Sequence, residues 1–176
     1  MESLPAKWLR TRYKMNADQI IKYFDMQKHP EGGAFLETYR SNEKVQLNSF
    51  NGERNLSTGI YFLLKQGEFS AFHKIKSDEL WHFYLGESLR IIEIDLDGKL
   101  KETILGRDIL NGEKLQYTVP ANHWFASIPN TNSDFSFVGC TVSPGFDFQD
   151  FELATYSNLS QIYPSHSEKI KELTYE

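Results

Sequence analysis

The sequence predicts an all-β protein, a β-sandwich or closed barrel of jelly-roll type, with helices confined to its two ends. Three observations carry that prediction. Eight short runs rich in β-branched and aromatic residues succeed one another between residues 34 and 142, with no helical periodicity between them. Asn51-Gly52, Asp97-Gly98 and Asn111-Gly112 supply turns between runs. Strands this apolar need protected edges, which a closed roll provides.

The elements follow in chain order. Residues 1–15 read as an N-terminal arm. Its Lys7, Arg10, Arg12 and Lys14, with Trp8 and Tyr13, are the only clustered positive charge, read as a solvated segment rather than an anion-binding surface. Asn16 and Gln19 form a capping box that opens a helix with an apolar stripe of Ile20, Ile21 and Phe24, extended by Met26. Pro30 disfavours helical geometry at His29 and ends it. Strands are expected in AFLETYR, STGIYFLL, FSAFHKI, ELWHFYL, LRIIEIDL, KLKETIL, KLQYTV and FSFVGCTV. Two short C-terminal helices are expected over 158–163 and 168–173, parted by Pro164, with Ser165 and Glu168 as a second capping box. The domain spans 16–165 and a helical tail 166–176.

At 176 residues, with 40% apolar and 14% aromatic side chains, one domain can bury a sizeable core. A net charge of -5 offers no basic stripe for nucleic acid and no attraction to acidic lipid. Cys140 stands alone, so no intrachain disulfide forms, and its apolar surroundings predict a buried, inert thiol. No apolar run nears the roughly 18 residues of a membrane helix, and no signal-peptide core is seen. A cytoplasmic, non-membrane protein is the expectation.

Chemistry concentrates in GEFSAFHKIKSDELWHFYLG, residues 67–86. Side chains alternate across a strand. With parity kept through Ser77-Asp78, His73, Ile75, Glu79, Trp81 and Phe83 face one way. Lys74, Leu80, His82 and Tyr84 face the other. An imidazole and a carboxylate among large apolar groups suit a barrel lining, since a buried Glu is rare unless paired or functional.

The spacing of Gly67, His73, Ile75, Glu79 and Gly86 resembles the first cupin motif, with Ile75 in a histidine slot. PANHWF resembles the second, with Asn122 in the glycine slot and Phe125 in place of the last histidine. Further stretches are similar to cupin 5 (domain of unknown function 985): HPEGGAFLETYRS, IYFLL, VPANHWFAS and VGCTVSPGFDFQDFEL, covering roughly residues 16–165. The resemblance implies a double-stranded β-helix subunit, usually dimeric, and no established reaction. Family members can carry His-x-His across 71–73, where this chain has Ala71.

Catalytic zinc takes three protein ligands, and non-haem iron two His and a carboxylate. His73 and Glu79 provide two. His82 has the wrong parity, and His123 lies about 7 Å along the strand from the Phe125 slot. No tight metal is expected, and weak occupancy at His73 and Glu79 stays open. The expected ligand-binding set is His73, Glu79, Trp81, Phe83, Arg40, Tyr61 and Gln116. Trp81 would either pack as a plain core residue, the reading put first, or stack on a sugar or base; Tyr61 would offer a hydroxyl, and Arg40 grip a phosphate or carboxylate unless Glu37 or Glu43 claims it. The Gly residues of EGG (31–33) and SPGF (143–146) read as turns, and Phe146, Phe148 and Phe151 as anchors of the C-terminal segment or a dimer surface.

Two functions fit. The first is a homodimeric binding protein for a small polar metabolite. The second is a metal-free sugar-nucleotide epimerase or isomerase, with catalytic His73 as base, oriented by Glu79, and a tyrosine returning the proton.

Overall fold

In a computed structural model, residues 15–130 and 134–175 are described. The expected N-terminal arm lies almost wholly outside them. Helix α1 (Ala17–Phe24) leads into strands β1 (Gln27–Lys28), β2 (Ala34–Arg40), β3 (Lys44–Gln46), β4 (Glu53–Asn55) and β5 (Thr58–Lys65). Then come β6 (Ser70–Lys74), β7 (Asp78–Gly86), β8 (Leu89–Ile94), β9 (Leu100–Leu105) and β10 (Gln116–Val119). The chain closes with β11 (Trp124–Pro129), β12 (Phe135–Ser143), β13 (Glu152–Leu153) and helices α2 (Tyr156–Ile162) and α3 (Ser167–Glu172).

A six-stranded sheet runs β1-β2-β5-β12-β7-β10 and a five-stranded sheet β13-β6-β11-β8-β9. Their strand pairs are antiparallel, as the jelly roll requires. All eight predicted runs are strands. Strand β11, which Pro129 ends, and the short β1, β3, β4 and β13 lie outside those eight runs.

Three apolar clusters explain the layering. Phe62, Leu64, Trp81, Leu89, Ile91, Tyr117, Phe125 and Val138 fill the space between the sheets. Ile20 and Met26 of the α1 segment cover Leu63 and Phe137 on the outside of the larger sheet. Leu159, Ile170 and Leu173 cover Phe72, Ile92, Ile94 and Trp124 on the outside of the smaller one. Strand β8 is therefore buried on both faces, so its sequence is a near-continuous apolar run.

The helix ends test the two capping boxes. Asn16 and Gln19 cap α1 reciprocally, Asn16 N–H donating to Gln19 Oε1 at 3.0 Å and Gln19 N–H to Asn16 Oδ1 at 2.9 Å. The second box is corrected: Pro164–His166 form a 3-10 turn that takes up Ser165, and α3 begins with no side-chain cap. Instead α2 begins at Tyr156, two residues before the expected start, and Thr155 caps it by accepting from Asn158 N–H.

Candidate functional site

Between the sheets at one end lies a cavity of about 230 Å³. Strand β6 contributes His73, with Ile75 just beyond it; β7 contributes Glu79, β12 Cys140 and Val142, and β5 Thr58 and Ile60. Strand β2 presents Phe35, Glu37 and Arg40. Glu37 and Arg40 have opposite parity, but the pairing of β2 with β5 shifts by one residue between Glu37 and Tyr39. That bulge turns Arg40 back to the side of Glu37. The loop after β12 adds Phe146, Asp147 and Phe148, and the β1–β2 turn adds His29 and Glu31.

The turn holds Glu31 in place through its glycines. Gly32 and Gly33 have φ of 115° and 71°, and a Cβ on Gly33 would lie 2.7 Å from the Leu63 carbonyl oxygen. Only glycine fits so close an approach in that conformation. Glu31 is 6% exposed; its Oε1 accepts from Ser70 Oγ at 2.9 Å, and its Oε2 lies 3.1 Å from His73 Nε2 and 3.5 Å from His29 Nδ1.

Proton positions at the inner end follow from these contacts. His73 Nδ1 lies 2.8 Å from the Ala71 carbonyl oxygen, which can only accept, so Nδ1 carries a hydrogen. A bare Nε2 lone pair cannot face a carboxylate at 3.1 Å, so one proton is shared between Glu31 and His73. Burial pushes the imidazole down, against the opposing charge of Glu79, and pushes the Glu31 carboxyl up. Both shifts favour the neutral pair, Glu31 donating to His73 Nε2. Burial also drives Glu79 up to about 7, an effect that His73 opposes and Glu31 reinforces. The Cys140 thiol hydrogen-bonds to Glu79, and its own pKa is raised by burial and then by that carboxylate, so it stays protonated.

The structure brings together His73, Glu79 and Arg40 of the expected set. Trp81 faces the interior but is fully buried deeper in the core, edge-on to Phe62 and Phe125. Phe83 packs against the same core, outside the cavity lining. Tyr61 lies on the opposite face of β5, against Phe24, Tyr84 and Phe137 beneath α1. Gln116 points outward to His82, and Tyr117 takes the interior position. Among the residues unforeseen for the cavity are His29, Glu31, Phe146 and Phe148. Glu31 was legible as an acid between a proline and two glycines; the aromatic pair needed the loop path.

His123 also goes elsewhere. Its Nδ1 lies 2.6 Å from Glu93 Oε1, while the Tyr117 hydroxyl donates a short bond to Glu93 Oε2 and accepts from Lys101 Nζ at 2.8 Å. The metal slots are filled by Ile75 and Phe125, which packs 4.1 Å from the His73 ring. Among the described residues no three His, Cys, Asp or Glu side chains are disposed to hold a metal. The side chains present do not fit a tight cupin metal.

Residues 18–154 match the family described as Cupin superfamily (DUF985), Cupin_5. The chain belongs to that family. A relative in Saccharomyces cerevisiae, the uncharacterized protein YML079W, is 36% identical over 145 residues, covering 75% of this chain and 72% of the relative. The crystal structure of protein SO0799 from Shewanella oneidensis matches with a TM-score of 0.83 at 42% identity, over 92% of this chain and 98% of that one. A hypothetical protein from Leishmania major matches with 0.86 at 36% identity, over 92% and 100%. This Cupin_5 chain therefore shares fold and family with proteins whose names state no reaction. Among the described residues no helix is long and apolar enough to cross a membrane.

Proposed function

We propose that this Cupin_5 protein binds a small polar metabolite in the cavity between its sheets, through Glu31, His73 and Glu79. The observation that supports this is a pair of carboxyl groups, each more than nine-tenths buried, that line an apolar-walled hollow instead of being sealed into the core. Burying a carboxyl costs free energy unless it is compensated; Ser70 and His73 compensate Glu31, whereas Glu79 has the weak donor of the Cys140 thiol, and a ligand donor is the further compensation this geometry offers. At about 230 Å³ the hollow is smaller than the roughly 300–1,000 Å³ of drug-sized sites, which limits the ligand to a small molecule. Crystals grown with a panel of small metabolites test the reading. Ligand density within hydrogen-bonding distance of Glu31 or Glu79, lost in Glu31→Gln with the fold intact, is expected. A cavity that holds only disordered solvent across the panel contradicts it.

Acid–base isomerisation is a second reading, favoured by the placement of Glu79, a carboxyl 7% exposed in the cavity wall that burial pushes up to about 7, a range suited to taking and returning protons. Glu31 occupies the His73 lone pair, so the base is Glu79 and the Glu31–His73 pair returns the proton. A nucleotide diphosphate would have to be gripped by Arg40, whose fork is already engaged by Glu37, so a substrate without that group fits better. Solvent deuterium should enter a turned-over substrate and fail to enter it in Glu79→Gln. No exchange across epimerisable small sugars and hydroxy acids removes the reading.

A further inference from the structure

We infer that the cavity selects a small organic cation, a protonated amine carried on a single apolar group. The inference rests on the binding reading above and adds the charge of the ligand.

Four carboxyl groups line the cavity; Glu31 is held as the neutral partner of His73 and Glu37 is paired with Arg40, so Glu79 and Asp147 are the two acids that these pairs leave over, beside the imidazoles of His29 and His73. Burial lowers the pKa of both imidazoles, so neither contributes a fixed positive charge. Arg40 is not a free anion clamp. Its Nε and Nη2 donate to Glu37 at 2.9 and 2.7 Å, and its Nη1 to Asn55 Oδ1 at 3.0 Å and to the Phe146 carbonyl oxygen at 3.1 Å. An entering phosphate or carboxylate would have to break that fork while facing the acids behind it.

Glu79 supplies the independent indication. It is 7% exposed, lines the hollow, and has the weak donor of the Cys140 thiol as its hydrogen-bonding neighbour. An ammonium group is the strong donor that such a carboxyl lacks. The walls serve the other side of a cation. Phe35, Phe146 and Phe148 line the cavity together with the His29 ring, which stacks on Phe148 at 6.4 Å and meets Phe35 edge-on at 4.7 Å. Ring faces attract cations within about 6 Å.

An isosteric charge series tests this: benzylammonium, benzyl alcohol and benzoate, each titrated into the protein by calorimetry at pH 8. Benzylammonium is expected to bind at least tenfold more tightly than either analogue. Glu79→Gln should weaken it about tenfold, leaving benzyl alcohol within twofold. Phe148→Leu, at a half-exposed position where folding is safe, should weaken benzylammonium several-fold. Benzoate or benzyl alcohol binding as tightly as benzylammonium overturns the charge assignment and leaves the binding reading standing. Benzylammonium affinity unchanged in both variants places the probe elsewhere and also overturns the assignment. Failure of all three probes to bind at millimolar concentration overturns the binding reading, and the inference with it.

Discussion

Replacing Glu79 by Gln should make the protein more stable at alkaline pH and leave it nearly unchanged in acid. In the folded chain burial raises this carboxyl from an ordinary 4.5 to about 7. Below pH 4.5 both the folded and the unfolded chain carry the proton, so Glu79 contributes nothing to the balance. Between 4.5 and 7 the unfolded chain ionises while the folded chain holds its proton, and stability falls as pH rises. Above 7 both are ionised and the loss is complete. At roughly 1.4 kcal/mol per pH unit the loss amounts to about 3 kcal/mol. Glutamine keeps the shape and has no charge to desolvate. Urea unfolding of wild type and Glu79→Gln at pH 4.5 and pH 8 gives four free energies. The stability of the variant relative to wild type should rise by about 3 kcal/mol between the two pH values, whatever its constant offset. Taking this double difference cancels the other groups to first order. A difference that is flat with pH, or that changes in the opposite sense, refutes the electrostatic picture of the site.

Three further outcomes follow from the same geometry. Arg54 and Asp150 form a buried bidentate pair, Nε to Oδ2 at 2.5 Å and Nη2 to Oδ1 at 3.0 Å; Arg54→Met leaves the acid with Lys76 alone, 3.6 Å away, and should cost about 1–3 kcal/mol, read as a lowered urea midpoint. Gly33→Ala puts a Cβ against the Leu63 carbonyl at a positive φ, so a loss of at least about 1–3 kcal/mol should appear in the melting temperature, together with loss of ligand binding as Glu31 moves. Cys140 is buried, with its pKa raised well above the ordinary value, so a disulfide reagent at pH 8 should label it only at the rate of unfolding, and rapid labelling of the native protein contradicts its placement.

The strand pattern was readable because alternation and turn dipeptides are local properties, and β2, β5, β7 and β12 lie where the sequence puts them. Parity along β6 and β7 placed His73 and Glu79 on one inner face for the same reason. Depth was not readable. Trp81 shares that face but sits one layer further into the core, and nothing local separates a wall residue from a core residue on one strand. Arg40 reached the cavity through a bulge that shifts register, a feature set by the partner strand. The partner of His73 proved to be Glu31, 42 positions earlier in the chain, because Gly32 and Gly33 let that turn pass close to β5 and β6. Long-range pairing of this kind has no periodic signature. Tyr61 went outside since β5 is apolar on both faces, one covered by the α1 segment, so hydropathy could not tell its two sides apart.

Carboxyl-carbon NMR of glutamate-labelled protein, titrated with and without saturating benzylammonium, tests the central claim most directly. The free protein should show Glu79, identified by loss of its signal in Glu79→Gln, with a midpoint near 7, and the bound probe should pull that midpoint down. A Glu79 midpoint in the ordinary range near 4.5, or one near 7 that saturating probe leaves where it was, would contradict the account.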